Sequence, residues 1–484
     1  MPAPALPSPT ERHLLSRFSW GVTPALVAEA RAAGGASSWF EQQLRPDQVA
    51  DGFAGGMRSW FPRMQMTVPA MVKAAANHSL DSFDLMMDLG RWSLLRRVYS
   101  KRQLHETMVS FWSDHLHIPA PPGTAWPYRL AHDAMLRKHA LGNFEDMLVE
   151  IDLSPAMGCY LDLAISTAKR LNENLGRELL ELHTVGRDPD PDIPPYDETD
   201  VKNASLMLTG YHVDRGDTWQ ASYNREDHYV GRLKVMGWEH ANSSSDGRAA
   251  TQSLLRYLAR HPATARRISH KMCVRFVSDD PSPSIVTAVT AAYRDSGSDI
   301  KSMLRAMVAH PDFAASQDQK ARTPIEDAVA TYRALRMVPK KPRTEGDFGN
   351  NIVFQVANLG YRPFQWPRPD GPPDVADAWS SVGRMLGSFH LHGVLANRTT
   401  PATGVEYRKL QAWMPPFPAT LQEIVNQISG QLLCRPATAR MSTAVSQRLE
   451  QPLDRTFRTF DELAEFRAQR LIASLLDTPQ HMSR

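Results

Sequence analysis

Only three cysteines occur in the 484 residues, Cys159, Cys273 and Cys434, far apart and without any Cys-x-x-Cys spacing. That excludes a disulfide framework and a zinc ribbon, and it makes a reducing compartment the default. No apolar run reaches the roughly eighteen residues that a membrane span requires, because charges and prolines interrupt every candidate. The opening MPAPALPSPTERHLLSRFSW has no basic n-region, no uninterrupted apolar core and no twin arginine, so a cytoplasmic protein is expected. Charge of one sign is missing too: 55 Lys plus Arg balance 52 Asp plus Glu. With no basic stripe, neither a nucleic-acid nor a membrane partner is expected. Also absent are a Walker phosphate loop, a dinucleotide fingerprint, a Gly-x-Ser-x-Gly elbow and a His-Glu-x-x-His helix, which removes the commonest nucleotide, hydride, serine-hydrolase and zincin chemistries.

What remains is the composition of a globular protein, 42% hydrophobic and 22% charged. Its apolar residues mostly recur at three and four. From Leu80 to about Ile118 the pattern Leu85, Met86, Leu89, Trp92, Leu95, Val98, Leu104, Met108, Phe111 and Trp112 predicts a long helix or a helix pair, ended by Pro119. Ser8 or Thr10 can cap a first helix, and Thr23-Pro24 launches a second that stops at Gly34-Gly35. Helices are expected at about 127–140, 144–154, 155–162 and 246–276, from Asp279 to His310, and again after Thr323-Pro324. Between Gly186 and Asn242, Pro, Gly, Asp and Ser cluster around aromatic residues, predicting an irregular stretch with room for a hairpin of Tyr211–Val213 against Trp219–Tyr223. The fold class is therefore mainly α, a multi-helical body with a long irregular loop region and a short β-hairpin. Residues 1–340 are expected to form that body, including the irregular segment 186–242. Charged residues 340–349 read as a linker to a C-terminal helical portion, 350–484, packed on it. Near its start, GYRPFQWPRPDGPPD has five prolines in fifteen residues and can be neither helix nor central strand.

In NENLGRELLELHTVG, about 100° per residue places Asn174, Glu178 and Glu181 within about 60° of one another, with Arg177 on their flank and Leu175, Leu179 and Leu182 opposite. One reading is a solvated face with an Arg177 to Glu181 pair, worth a few tenths of a kcal/mol. The other turns the stripe inward, where unpaired charges must bind something: two carboxylates one turn apart suit a divalent metal, or one acts as base while Arg177 holds an anion. His183 cannot share the stripe unless the helix ends near Thr184 or Gly186.

A second candidate is ETMVSFWSDHLHIP. His115 and His117 stand about 200° apart on a helix, so they chelate one metal only if the helix has already ended; otherwise they complement its dipole while Trp112 packs in the core. Glu106 and Asp114 add carboxylates two turns apart. His390 and His392 form a similar pair. The irregular region, with His228 among its aromatics, is a third candidate, because loops on a helical scaffold concentrate binding residues.

The segments SPAMGCYLDL, NENLGRELLELHTVG, TDVKNASLMLTGY, RHPATARRISHKMCVRFVSDDP and LGYRPFQWPRPDG, in this order, resemble the bacterial family named domain of unknown function 1800, over nearly the whole chain. The resemblance implies an exported setting with a sulfatase-like or phosphatase-like partner protein encoded nearby, yet this chain shows no signal segment. It also departs from the family at His228, which Tyr229 follows where an acidic residue is usual. The functional expectation is a hydrolytic, metal-assisted enzyme acting on a small-molecule or saccharide substrate. Arg177, Glu178 and Glu181 would be catalytic, Asn172, Asn174, His183, His228 and Trp112 would bind substrate, and His115 and His117 would hold the divalent metal. The alternative is a non-catalytic binding or accessory protein with a buried polar network.

Overall fold

The computed structural model describes residues 6–484 apart from 121–122, 188–193 and 216. Helices dominate, and the strands form only two-stranded antiparallel pairs. Sequence punctuation sets the boundaries. Ser8, Thr23, Ser154 and Thr323 each cap a helix whose first turn carries a proline, the arrangement that satisfies an orphan N–H and needs no donor at the first position. The Leu80 to Ile118 periodicity resolves into a helix pair, Ser82–Tyr99 and Gln103–His115. Gln103 makes the break: its side-chain amide donates to the carbonyls of Arg97 and Ser100, closing the end of the first helix.

The two helices of that pair face different cores. Gln103–His115 packs through Met108 and Trp112 into a core shared with Phe18, Trp39, Phe144, Leu254, Ile268 and Phe276. Ser82–Tyr99 packs through Leu85, Leu89 and Leu95 into a core shared with Val329, Ile352, Leu395, Ile428 and Leu471. The second core thus joins residues below 100 to residues above 320. Residues 340–349 do not hang between bodies: Val338–Pro339 pairs with Val405–Glu406, and the Asp347 carboxylate accepts from the N–H groups of Arg343 and Thr344.

Between Gly186 and Asn242 the structure has more order than the composition suggests. Tyr211–Val213 pairs with Ala221–Tyr223, Tyr211 opposite Tyr223, and a second hairpin joins Leu233–Val235 to Trp238–His240. A helix, Glu198–Met207, precedes them, opened by a capping box of Asp197 and Asp200. Its apolar face of Val201, Ala204 and Met207 has helical spacing that the surrounding prolines and aspartates conceal. No helix among the described residues is long and apolar enough to cross a membrane.

The Pro-rich segment 360–374 lies across the end of the Gln103–His115 helix. Ala120 N–H donates to the Phe364 carbonyl, and the Arg129 guanidinium sits 4.6 Å over the Phe364 ring. Gly371, at φ +74°, touches the Asp114 carbonyl so closely that a Cβ would stand 1.9 Å from its oxygen, so only glycine allows this approach.

Gly176 serves the same purpose between helices, since a Cβ there would lie 2.0 Å from Ser205 Oγ. Alanine normally stabilises a helix interior relative to glycine by about 1 kcal/mol. Here overpacking is expected to reverse the sign and Gly176→Ala to cost about 1–3 kcal/mol in chemical denaturation. A gain in stability would contradict this packing.

Candidate functional site

The Asn174–Glu178 helix does not continue as an α-helix. Residues Leu179–His183 form a π turn, a widened geometry that recurs at functional sites. Gly186 N–H donates to Leu180 O, Thr184 Oγ to Leu179 O, and Arg267 Nη1 to the carbonyls of Glu181 and Leu182 at 2.6 and 2.8 Å. The turn swings His183 into the interior, where its Nδ1 lies 3.0 Å from the Asp152 carboxylate. The helix thus changes its winding at the point where His183 needed it to end.

The widened turn also takes the polar stripe apart. Arg177 faces outward and pairs bidentately with Glu198 at 2.9 and 2.7 Å. Glu181 pairs with the exposed Arg187 at 2.6 Å. Glu178 is half-buried, as Glu181 is; burial raises the Glu178 carboxyl above the usual range, and His183 opposes that rise. Asn174 is exposed, and Asn172 uses its side-chain oxygen to accept the Asn174 N–H. Of the three residues expected to be catalytic, Arg177 and Glu181 are thus engaged in ion pairs with Glu198 and Arg187, while Glu178 lies within electrostatic reach of both.

His115 and His117 do not converge either. The His117 nitrogens face the carbonyls of Trp366 and Ser113, and burial brings its pKa down to about 4. His115 Nε2 stands 3.1 Å from the His183 carbonyl and its Nδ1 3.1 Å from Lys271 Nζ. A carbonyl only accepts, so Nε2 carries the hydrogen and the Nδ1 lone pair faces the lysine. His117, on the Ser113 carbonyl, and His132, whose Nε2 meets the Leu116 carbonyl, close the carbonyl end of the Gln103–His115 helix, while His115 ties that helix to the π turn. That use explains the two histidines without a shared metal. Trp112 is core, stacked on Phe144 with its indole N–H on the Ala140 carbonyl. His228 is buried between the Thr209 carbonyl and Asn242 Oδ1, where it pins the irregular segment. Glu106 is clasped by Arg96 and Arg137, an ion cluster with no opening.

What His115 does face is a cavity of about 330 Å³. The Gln103–His115 helix contributes Phe111 and Asp114, the Pro262–Phe276 helix His270, Lys271 and Arg275, and the Pro-rich segment Arg368, Asp370 and Asp374. Burial raises the Asp114 carboxyl to about 7 despite Arg97 and Arg275 nearby, and the neighbouring Asp374 adds to the rise. Burial and Arg267 lower Lys271 to about 8, against the pull of Asp114, Asp370 and Asp374. Among the described residues Lys271 has no carboxylate in ion-pair contact; its close partner is the His115 lone pair. Arg275, one turn further, is neutralised by Glu326 at 2.8 Å and Asp374 at 3.2 Å. An acid and a base, both displaced towards neutrality and lining one cavity, are the arrangement that proton-transfer chemistry requires. A second cavity of equal volume, beside Phe53, Tyr99 and Met337, has mostly apolar walls, with Lys101 paired to Glu29 at 3.3 Å.

Lys271, Arg275 and Asp374 stand within segments whose sequence alone gave no chemical signal. The one available clue was Arg267, Lys271 and Arg275 at four-residue spacing on one helix face.

Among the described residues one group has the donors for a metal ion: Asp327, His392 and His481, all buried. Each is already engaged within the protein. Asp327 accepts from Ser388 Oγ at 2.6 Å, His392 bridges Asp327 and Asp477, and His481 meets Thr331 Oγ1 at 2.9 Å.

A mainly α protein with an ionisable cavity at the seam of two cores is the class that these observations define. The family described as "Protein of unknown function (DUF1800)" matches residues 13–483, and the chain belongs to it. No curated protein and no solved structure matches the chain.

Burial opposes the charged form of His392, but Asp327 and Asp477 outweigh it and raise the ring to about 9. A folded-state pKa above the ordinary 6.5 gives stability that is complete below pH 6.5 and lost as pH rises through 9. The wild type should therefore lose about 3 kcal/mol relative to His392→Gln across that window. Parallel pH dependences in urea denaturation would contradict the assignment.

Proposed function

We propose that the protein is a hydrolytic enzyme whose acid–base centre is the cavity of Asp114 and Lys271, acting on a small anionic or polyhydroxylated substrate. The observation that carries this reading is the pairing of a carboxyl at about 7 with an ammonium at about 8 on the walls of one cavity. Between those values Asp114 is mostly ionised and Lys271 mostly protonated. The carboxylate then accepts a proton from the attacking water while the ammonium donates to the developing oxyanion or leaving group. His115 orients the ammonium through its fixed lone pair, 3.1 Å from Nζ. Arg368 and His270 on the cavity wall suit an anionic substituent. A cytoplasmic setting remains part of the proposal, supported by three buried cysteines that stay unpaired.

A panel of nitrophenyl esters, phosphates, sulfates and glycosides tests the reading. The active class should show a bell-shaped kcat/KM with limbs near pH 7 and pH 8, set by Asp114 and Lys271. Asp114→Asn and Lys271→Met should each lower kcat by about 10²-fold or more with the fold retained, and Glu181→Gln should leave it within about twofold, since its pair with Arg187 is not part of that cavity's lining. Turnover that ignores Asp114 and Lys271, or no turnover of any class, counts against the proposal.

A further inference from the structure

The surroundings of Lys271 suit a second kind of chemistry. An amine is a nucleophile only when unprotonated, and proteins reach that state by withholding counter-ions, adding cations nearby and supplying a proton acceptor. All three conditions hold. No carboxylate touches Nζ among the described residues. On its own helix Arg267 precedes Lys271 by one turn and Arg275 follows by one turn, with His270 adjacent. From the helix opposite, the His115 lone pair lies 3.1 Å from Nζ. The other groups facing it are Asp114 from that helix and Arg368, Asp370 and Asp374 from the Pro-rich segment. Lys271 also lines the cavity of about 330 Å³.

We infer that Lys271 is a reactive lysine that condenses with the carbonyl carbon of a small oxo compound carrying an anionic group, forming a protonated imine. The step balances within the cavity. The amine nitrogen adds to the carbonyl carbon as the C=O π pair moves to oxygen. One N–H proton then passes to that oxygen, giving a carbinolamine. Asp114, in its acid form, gives a second proton to the hydroxyl, which leaves as water. The iminium that remains faces the Asp114 carboxylate. No oxidant or metal is consumed. The inference uses the same cavity as the proposed function but does not depend on hydrolysis.

The test is reductive trapping of the full-length protein with glyoxylate and cyanoborohydride, read by peptide mapping. Lys271 should be modified at least about tenfold faster than exposed Lys73, Lys202 and Lys340, because a pKa brought down to about 8 leaves a large share of free amine at neutral pH. Its rate should pass through a maximum between about pH 7 and pH 8, where the free amine and the acid form of Asp114 coexist. Asp114→Asn should slow labelling at Lys271 and leave the surface lysines unchanged. Labelling of Lys271 no faster than at those lysines, or none, overturns the inference. Hydrolysis without labelling sinks this inference alone, and labelling without hydrolysis sinks the hydrolytic reading alone.

Discussion

An ammonium held half inside the protein by a neutral imidazole is the interaction on which the rest of the site depends. A buried charge normally takes a carboxylate as its partner, because desolvation is otherwise too costly. Lys271 is given a lone pair, which satisfies one N–H without neutralising the charge. The balance between ammonium and amine is therefore left close to neutral pH. The lone pair is available only because the opposite nitrogen of His115 donates to the His183 carbonyl. That carbonyl is placed by a π turn, which Arg267 clamps and which the His183–Asp152 contact anchors from within. A backbone irregularity and a buried carboxylate thus set the protonation of a side chain they never touch.

The same cavity depends on the two cores being joined. Its floor belongs to the first core, its lid to the Pro-rich segment, and its flank to Arg275, whose partners Glu326 and Asp374 come from the C-terminal third. Lys320 adds a bond to Asp279 and to the Asp374 backbone at the same seam. Buried ion pairs of this kind contribute little net stability, but removing one partner strands the other, so they fix geometry more than they hold the fold together. Gly371 completes the seam by allowing backbone to lie on backbone.

Much of the fold was legible in the sequence because helix periodicity and capping are local. Ser8, Thr23-Pro24 and Thr323-Pro324 each mark a boundary that the structure keeps, whereas the helix expected over 246–276 divides at Pro262. The Glu198–Met207 helix was hidden because its flanking prolines and aspartates look like loop. The site was legible only in part. His115 stood out as chemistry, and Asp114 was visible as a carboxylate without a partner. The Arg177, Glu178 and Glu181 stripe was drawn on an ideal wheel, and the π turn invalidates that wheel from residue 179 onward. Lys271 could not be singled out, because its environment is built largely from segments remote in the chain, around His115 and Arg368, and a lysine on a helix face looks the same whether it meets water or an imidazole.

The central claim is that burial and a neutral His115 bring Lys271 close to neutrality. Isotope-detected NMR titration of the lysine side chains, with Lys271 assigned through Lys271→Arg, measures this directly. A midpoint near 8 is expected, and a midpoint at the ordinary value of about 10.4 would contradict the account.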